Sequence, residues 1–347
     1  ERPNRRTLFR ERCLTSTRYL AAYYFWYFAA IGVYEPYLTP FWQHLGYSPV
    51  QLGLLNAISP GVAVFAPFLW TAYADATRRG EAIFLINTWV SALVALVLPN
   101  LRSLSPMVLT VLVFAVFRTP LISLANSMAF HALAGRRQGF AAIRLWGTVG
   151  YILAAVAAGI VMDRIGLRVG MHGIALAMLV CGVIAWMGRS RRRTSIPPAR
   201  LGDFLETLQD RRFVLLVASA SLAHMSFGPY TTFFTIHLKR LGLSSTFAGT
   251  AWAGVFYLAA VQSVDMLVPE GLRATAQGVF ASVVFGLSTL VGNAVSGFLY
   301  EPLGMAWLYA AAAVLASAAT LLYWAGTRPP IVAARVAAGH IPEGSSR

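Results

Sequence analysis

Cysteine is nearly absent from this chain of 347 residues: Cys13 stands in a basic leading segment and Cys181 inside an apolar run, which leaves no material for a disulfide framework or a thiolate metal site. Acidic residues are also scarce, 13 against 28 Lys and Arg. Charged residues of both signs make up 12% of the chain and hydrophobic residues 57%, far from the roughly one quarter charged of an ordinary soluble domain. The patterns GxxxxGK[ST], HExxH and GxSxG do not occur, so ATP-driven transport, zinc proteolysis and serine hydrolysis have no motif behind them. Neither a cofactor nor a metal site is expected.

Long apolar runs fill the space these absences leave. A helix needs roughly 20 mainly apolar residues to cross the hydrocarbon layer, and only helices or closed barrels satisfy every backbone group there. These runs are too long for barrel strands. Ten spans are predicted, over 19–42, 51–74, 82–100, 105–127, 143–163, 171–188, 213–236, 247–268, 274–299 and 304–325. The chain therefore reads as an all-α, polytopic helical membrane protein with the lipid bilayer as its solvent. No cleavable leader is expected, because the first apolar run is long and follows a basic segment.

The net charge of +15 raises nucleic acid as a partner, and the distribution of that charge argues against it. If the N-terminus is cytoplasmic, 22 of the 28 basic residues fall in inner segments and 5 in outer loops. Such asymmetry follows the positive-inside rule and places both termini in the cytoplasm. The charges are dispersed among loops and tails without an aromatic-rich surface, so no nucleic acid is expected.

One long polar stretch, "SRRRTSIPPARLGDFLETLQDRR", separates six spans from four. The expected organisation is a basic N-terminus (1–18), a six-helix bundle (19–188), a cytoplasmic linker (189–212), a four-helix bundle (213–325) and a tail (326–347). Internal repeats link the two parts. "LGYSPVQLG" (Leu45 to Gly53) and "LGLSSTFAG" (Leu241 to Gly249) share L-G-x-S-x-x-x-x-G at an offset of 196 residues. "GIVMDRIG" (Gly159 to Gly166) and "GFLYEPLG" (Gly297 to Gly304) are related at an offset of 138. The offsets differ by 58 residues, about two spans with their loops. Parallel repeats of this kind build two bundles that face each other across a central site.

These repeats, the basic linker, and the stretches "VYEPYL", "RLWGTVGYI" and "AHMSFGPYTTFFTIHLKRLGLSSTFAGTAWAGV" resemble the major facilitator superfamily, in particular its phenylpropionate-permease-like and lactose-permease-like proton symporters. "DMLVPEGLRATAQGVF" is similar to the tenth and eleventh helices of nucleoside:proton symporters. The resemblance covers residues 15 to 325. "FAGTAWAG" is similar to the start of the family's eighth helix and "VFYLAAVQSVDMLVPEGLRATAQG" to the end of its tenth, which puts a junction near 252–256. "TAYADATRRG" keeps Asp75, Arg78 and Arg79 of the family's loop between helices two and three, with Thr71 where the family has glycine. The resemblance implies alternating access, a site between the bundles, a small-molecule substrate carried with protons, a monomer, and a bacterial inner membrane.

Ionisable groups at membrane depth are costly and so point to function. Glu35 in "IGVYEPYL" interrupts an otherwise nearly uncharged span; it carries a proton, touches substrate, or holds a static pair. Arg118 in "FAVFRTPL" keeps its proton and needs an anion, either Glu35 or an anionic substrate. His224 relays a proton, contacts substrate, or packs as a hydrogen-bonded imidazole. Asn126 stands where related permeases often carry an aspartate. Tyr34, Tyr37, Trp146 and Tyr230 either line a cavity for a planar solute or sit at the interfaces. Arg144, with Asp75, Arg78 and Arg79, is a candidate for the cytoplasmic gate, against a reading in which it snorkels to the interface. His237, Lys239 and Arg240 are expected at the outer boundary. The expected function is transport of an aromatic acid, sugar or nucleoside. Two alternatives are a transport-dead remnant with a structural role and an intramembrane enzyme built on Glu35 and His224, for which no second catalytic group is recognisable.

Overall fold

The structure, a computed structural model, describes residues 5–77, 79–133, 137–188, 211–251 and 281–327. Every regular element among them is helical. Six helical stretches among the described residues are long and apolar enough to cross a membrane: Pro49–Ala74, Gly80–Asn100, Leu104–Ala129, Ala142–Arg164, Leu167–Met187 and Val283–Ala325. The chain is an all-α polytopic membrane protein. The predicted junction near 252–256 and most of the span at 247–268 lie outside the described residues.

Helix α1 (Arg5–His44) is 40 residues long. At 1.5 Å per residue it reaches about 60 Å, twice the hydrocarbon thickness. It begins well ahead of the predicted span and is the hub of the N-terminal bundle, with Tyr23, Tyr24, Tyr27, Tyr37, Phe41 and Trp42 all buried. Around it stand α4 (Gly80–Val97), α5 (Leu104–Ala132), α6 (Arg137–Arg164) and α7 (Leu167–Met187).

Proline breaks two of the expected spans. The predicted helix over 51–74 is two helices, α2 (Pro49–Ala63) and α3 (Ala66–Thr77). Pro60 lies inside α2; without an N–H it leaves the carbonyl of residue 56 without its helical donor, and the helix gives way soon after. The predicted span over 213–236 is also two helices, α8 (Arg211–Ser226) and α9 (Gly228–Arg240), separated at Phe227 just ahead of Pro229. A further helix starts at 245. After a π-helical turn at Ala281–Ser288, α10 (Thr289–Thr327) carries the end of the predicted span over 274–299, whose first residues lie outside those described, and the whole of the span over 304–325, joined across Gly304. Beyond that bend Trp307, Val314, Leu321 and Trp324 expose their apolar side chains, as lipid-facing residues do.

The sequence repeats have matching local structure. Gly46 (φ 88°) and Gly242 (φ 80°) adopt the left-handed conformation that closes the preceding helix. Two residues later Ser48 accepts from the Gln51 N–H at 3.4 Å, and Ser244 accepts from the Phe247 N–H at 3.1 Å, so both serines cap the next helix. Gly166 (φ 127°) and Gly304 (φ 71°) form the corresponding pair at the second repeat. The motif L-G-x-S is thus a stop followed by a start.

Candidate functional site

Arg118 on α5 is 9% exposed. Its guanidinium carbon stands 4.9 Å from the centre of the Tyr34 ring and 5.6 Å from that of Phe114. These two rings lie side by side, 5.6 Å apart, and Tyr34 is fixed by a 3.1 Å hydrogen bond between its hydroxyl and Ser59 Oγ. The aromatic faces attract the cation but take none of its in-plane N–H donors. Arg118 Nε is buried with no hydrogen-bond partner.

Glu35 is half-buried on α1, one residue beyond the ring that Arg118 covers. Carboxylate and guanidinium influence each other electrostatically, together with Tyr27 and Tyr34. Among the described residues, however, the two form no ion pair within 4.0 Å. The static clamp between α1 and α5 that the sequence allowed is not made here. A carboxyl group and a fixed cation therefore share one region of the protein without contact.

The other candidates are scattered. His224 on α8 packs edge-on against Phe285, ring centres 4.7 Å apart, and lies 5.9 Å from Phe227; its Nε2 is buried without a hydrogen-bond partner. Asn126 Oδ1 accepts from the Tyr24 hydroxyl, tying α5 to α1. Tyr230 is buried against Phe234 at 4.7 Å. Trp146 is 54% exposed on α6. Arg144 is exposed with its guanidinium 5.6 Å over the Phe28 ring. Of the loop after α3, Asp75 falls on the last turns of that helix, Arg78 lies outside the described residues, and Arg79 is exposed ahead of α4. Arg240 stands 5.6 Å over the Tyr300 ring and helps to line a small crevice of about 180 Å³ with Gln43, Tyr47, Phe233 and Tyr300.

Tyr37 has a different place from the one the sequence offered. Its hydroxyl donates to the Ala155 carbonyl at 2.7 Å and to the Ser245 carbonyl at 3.1 Å, and the residue is 1% exposed. A Cβ on Gly159 would stand 2.6 Å from that hydroxyl, and one on Gly249 would overlap it. Tyr37 is thus a packed post between the two parts of the chain, held by the glycines of both repeats. Correspondingly, a Cβ on Gly53 would stand 2.6 Å from Gly297 Cα. Each repeat of one half meets the other repeat of the opposite half. Both meetings lie at the same end of the bundle, the one at which the L-G-x-S turns stand and which the sequence predicts to be outer.

Two polar residues at this interface were not among the candidates, although Asp163 stands inside the repeat "GIVMDRIG". Asp163, at the end of α6, accepts from the Ser245 N–H (2.8 Å), the Thr246 N–H (2.9 Å) and the Thr246 hydroxyl (2.7 Å). It caps a helix of the opposite half. Asn293, 3% exposed on α10, donates its Nδ2 to the Asn56 carbonyl at 3.0 Å and accepts from the Thr231 hydroxyl at 2.7 Å. The Asn56 carbonyl is the one that Pro60 leaves without a helical donor. A proline break in one half is thereby satisfied by an asparagine from the other.

Comparisons with known proteins agree with this architecture. The model of the family described as "MFS_1 like family" matches residues 17–254 and 253–311. A maltose permease of Geobacillus stearothermophilus is 27% identical over 236 residues, which is 66% of this chain and 59% of the permease. A probable 3-phenylpropionic acid transporter of Escherichia coli (strain K12) is 25% identical over 261 residues, 69% of this chain and 64% of the relative. The chain spans about three-fifths of the length of these curated relatives. In fold it is similar to the crystal structure of the nucleoside transporter NupG, with a TM-score of 0.59 at 16% identity over 90% of this chain and 98% of that one.

Proposed function

The chain belongs to the MFS_1-like family, and on that premise we propose that it is a proton-coupled secondary transporter, not an enzyme, moving a small organic solute across the membrane by alternating access. The solute belongs to the aromatic acid, sugar or nucleoside class that the names of its relatives span. The observation that carries the reading is Glu35: a half-buried carboxylate within a long apolar helix, near a fixed cation yet in no ion pair with it among the described residues. A carboxylate held in a static pair cannot exchange its proton readily; one left out of contact can do so as access changes sides. Glu35 carries the proton, and Arg118 and His224 face the solute.

Alternating access uses the two outer meetings, Gly53 with Gly297 and Gly159 with Gly249 around Tyr37. Packed as here, they shut the outer end, and their separation opens it. Asp75, Arg78, Arg79 and Arg144 serve the opposite, cytoplasmic gate. The protein acts in a bacterial inner membrane as a monomer with both termini in the cytoplasm.

A second reading rests on a specific observation. The family match falls into two pieces that meet at 253–254, beside the junction at 252–256 where two spans are missing from the sequence pattern. A second half reduced to four spans leaves the protein a transport-dead remnant with a structural role. Proteoliposomes of the 347-residue chain decide between the two. Proton-gradient-driven uptake of any one of 3-phenylpropionate, maltose or uridine above empty vesicles supports transport by ten spans. Failure by folded protein, with a version repaired to twelve spans active, supports the remnant.

A further inference from the structure

We infer that the solute is an organic anion, a monocarboxylate, and that Arg118 is the residue that receives it. The inference rests on the transport reading above and narrows its solute class. It starts from a guanidinium that keeps its charge under all conditions in a protein. Arg118 is 91% withdrawn from solvent, its Nε has no hydrogen-bond partner, and no carboxylate among the described residues lies within ion-pair distance. An uncompensated buried charge of this kind is strongly destabilising unless something answers it. The Tyr34 and Phe114 rings answer part of it through their faces. The Tyr27 hydroxyl hydrogen-bonds the guanidinium as well; what these groups leave open is the Nε–H, one of the parallel donors along the planar edge that matches the two oxygens of a carboxylate. A sugar or nucleoside hydroxyl supplies one neutral acceptor and leaves the charge standing.

Glu35 explains why the edge is not filled from within and how an anion is admitted. Its carboxyl is electrostatically coupled to Arg118 without touching it. The titratable and charged groups coupled to it are Arg118 on α5, Tyr27 and Tyr34 on α1, and Tyr151 on α6. With Glu35 ionised, the region holds one positive and one negative charge. A bound monocarboxylate adds a second negative charge, and like charges at close quarters favour protonation of one of them. Glu35 takes the proton, the carboxylate takes the guanidinium edge, and the net charge of the site is unchanged. One proton thus accompanies one anion, and the aromatic platform beside the edge favours a solute with a planar apolar body.

The test is equilibrium binding to the purified full chain in detergent, with tryptophan fluorescence or calorimetry as readout. 3-Phenylpropionate and benzoate are compared with their uncharged amides, and with maltose and uridine. The expected result is at least tenfold tighter binding of each acid than of its amide, tightening as pH falls toward the acid's own protonation range. Glu35→Gln removes that pH dependence and keeps acid binding; Arg118→Gln removes the preference for acid over amide, and Arg118→Lys retains part of it. The acid and amide comparison uses the unaltered protein, so it stands even where an Arg118 variant fails to fold. Equal affinity for acid and amide overturns the inference. So does binding of maltose or uridine with the acids excluded, or binding of none of the probes. Acid-selective binding without uptake in proteoliposomes leaves the inference standing and removes the transport reading. Driven uptake of a neutral solute that Arg118→Gln does not alter does the reverse.

Discussion

Gly53 and Gly297 touch across the boundary between the two halves: a Cβ on Gly53 would stand 2.6 Å from Gly297 Cα, and one on Gly297 would stand 2.7 Å from Gly53 Cα. Nothing larger than glycine fits at either position while the outer end is packed as it is. A side chain introduced here is accommodated most directly by letting the halves part.

A leucine at position 53 therefore opens the outer end. Overpacking typically costs 1–3 kcal/mol, and about 1.4 kcal/mol corresponds to a tenfold change in population. Ser245, 4% exposed where its N–H and carbonyl bond Asp163 and Tyr37 of the other half, serves as the reporter once changed to cysteine. Labelling of Ser245→Cys by a membrane-impermeant maleimide added outside rises about tenfold on adding Gly53→Leu. Unchanged labelling in a folded double variant means that this contact does not close the outer end.

Asp163 caps a helix of the other half through two backbone N–H groups and one hydroxyl. Removing a capping side chain costs about 1 kcal/mol. Asp163→Ala raises the same labelling several-fold, and Asp163→Asn, which keeps one acceptor oxygen, raises it less. Equal effects from the two substitutions contradict a capping role.

Asn293 and Pro60 are coupled through the Asn56 carbonyl. Asn293→Leu strands that buried acceptor, at a cost of about 1–3 kcal/mol. Pro60→Ala supplies the missing helical N–H. In a double-mutant cycle followed by thermal denaturation in detergent, Asn293→Leu is less destabilising in the Pro60→Ala background by about 1 kcal/mol. Strict additivity removes the link.

His224 Nε2 is buried without a partner, and the ring lies between Phe227 and Phe285. A packing role alone makes His224→Phe neutral or stabilising, because an unanswered polar atom is replaced by an apolar one of similar shape. The account predicts an unchanged or raised melting temperature together with loss of solute uptake. Loss of stability with uptake retained contradicts it.

Helical class and membrane character were legible in composition, because an apolar run of membrane length has few other solutions. The repeated glycines were visible as well, since the left-handed turns at Gly46 and Gly242 and the caps at Ser48 and Ser244 are local requirements. What the pattern did not convey was partnership. That Gly53 meets Gly297, and Gly159 shares Tyr37 with Gly249, depends on how two bundles dock. The helix breaks at Val64 and Phe227 were hidden because hydropathy runs through them unaltered; Pro60 and Pro229 were the available signals. Asn293 and Asp163 resembled ordinary polar residues until the groups they satisfy, on segments far away in the chain, were in place. Arg118 and Glu35 could be named from sequence as a charge pair in search of an arrangement, but only coordinates separate contact from coexistence.

The central claim is that Glu35 is left out of contact in order to move a proton. Its most direct test is Glu35→Gln in proteoliposomes, with solute accumulation driven by an inward proton gradient measured beside exchange of preloaded solute at equal pH. The account predicts that accumulation is lost while exchange continues. Accumulation at the unaltered level would contradict it and return Glu35 to a structural role.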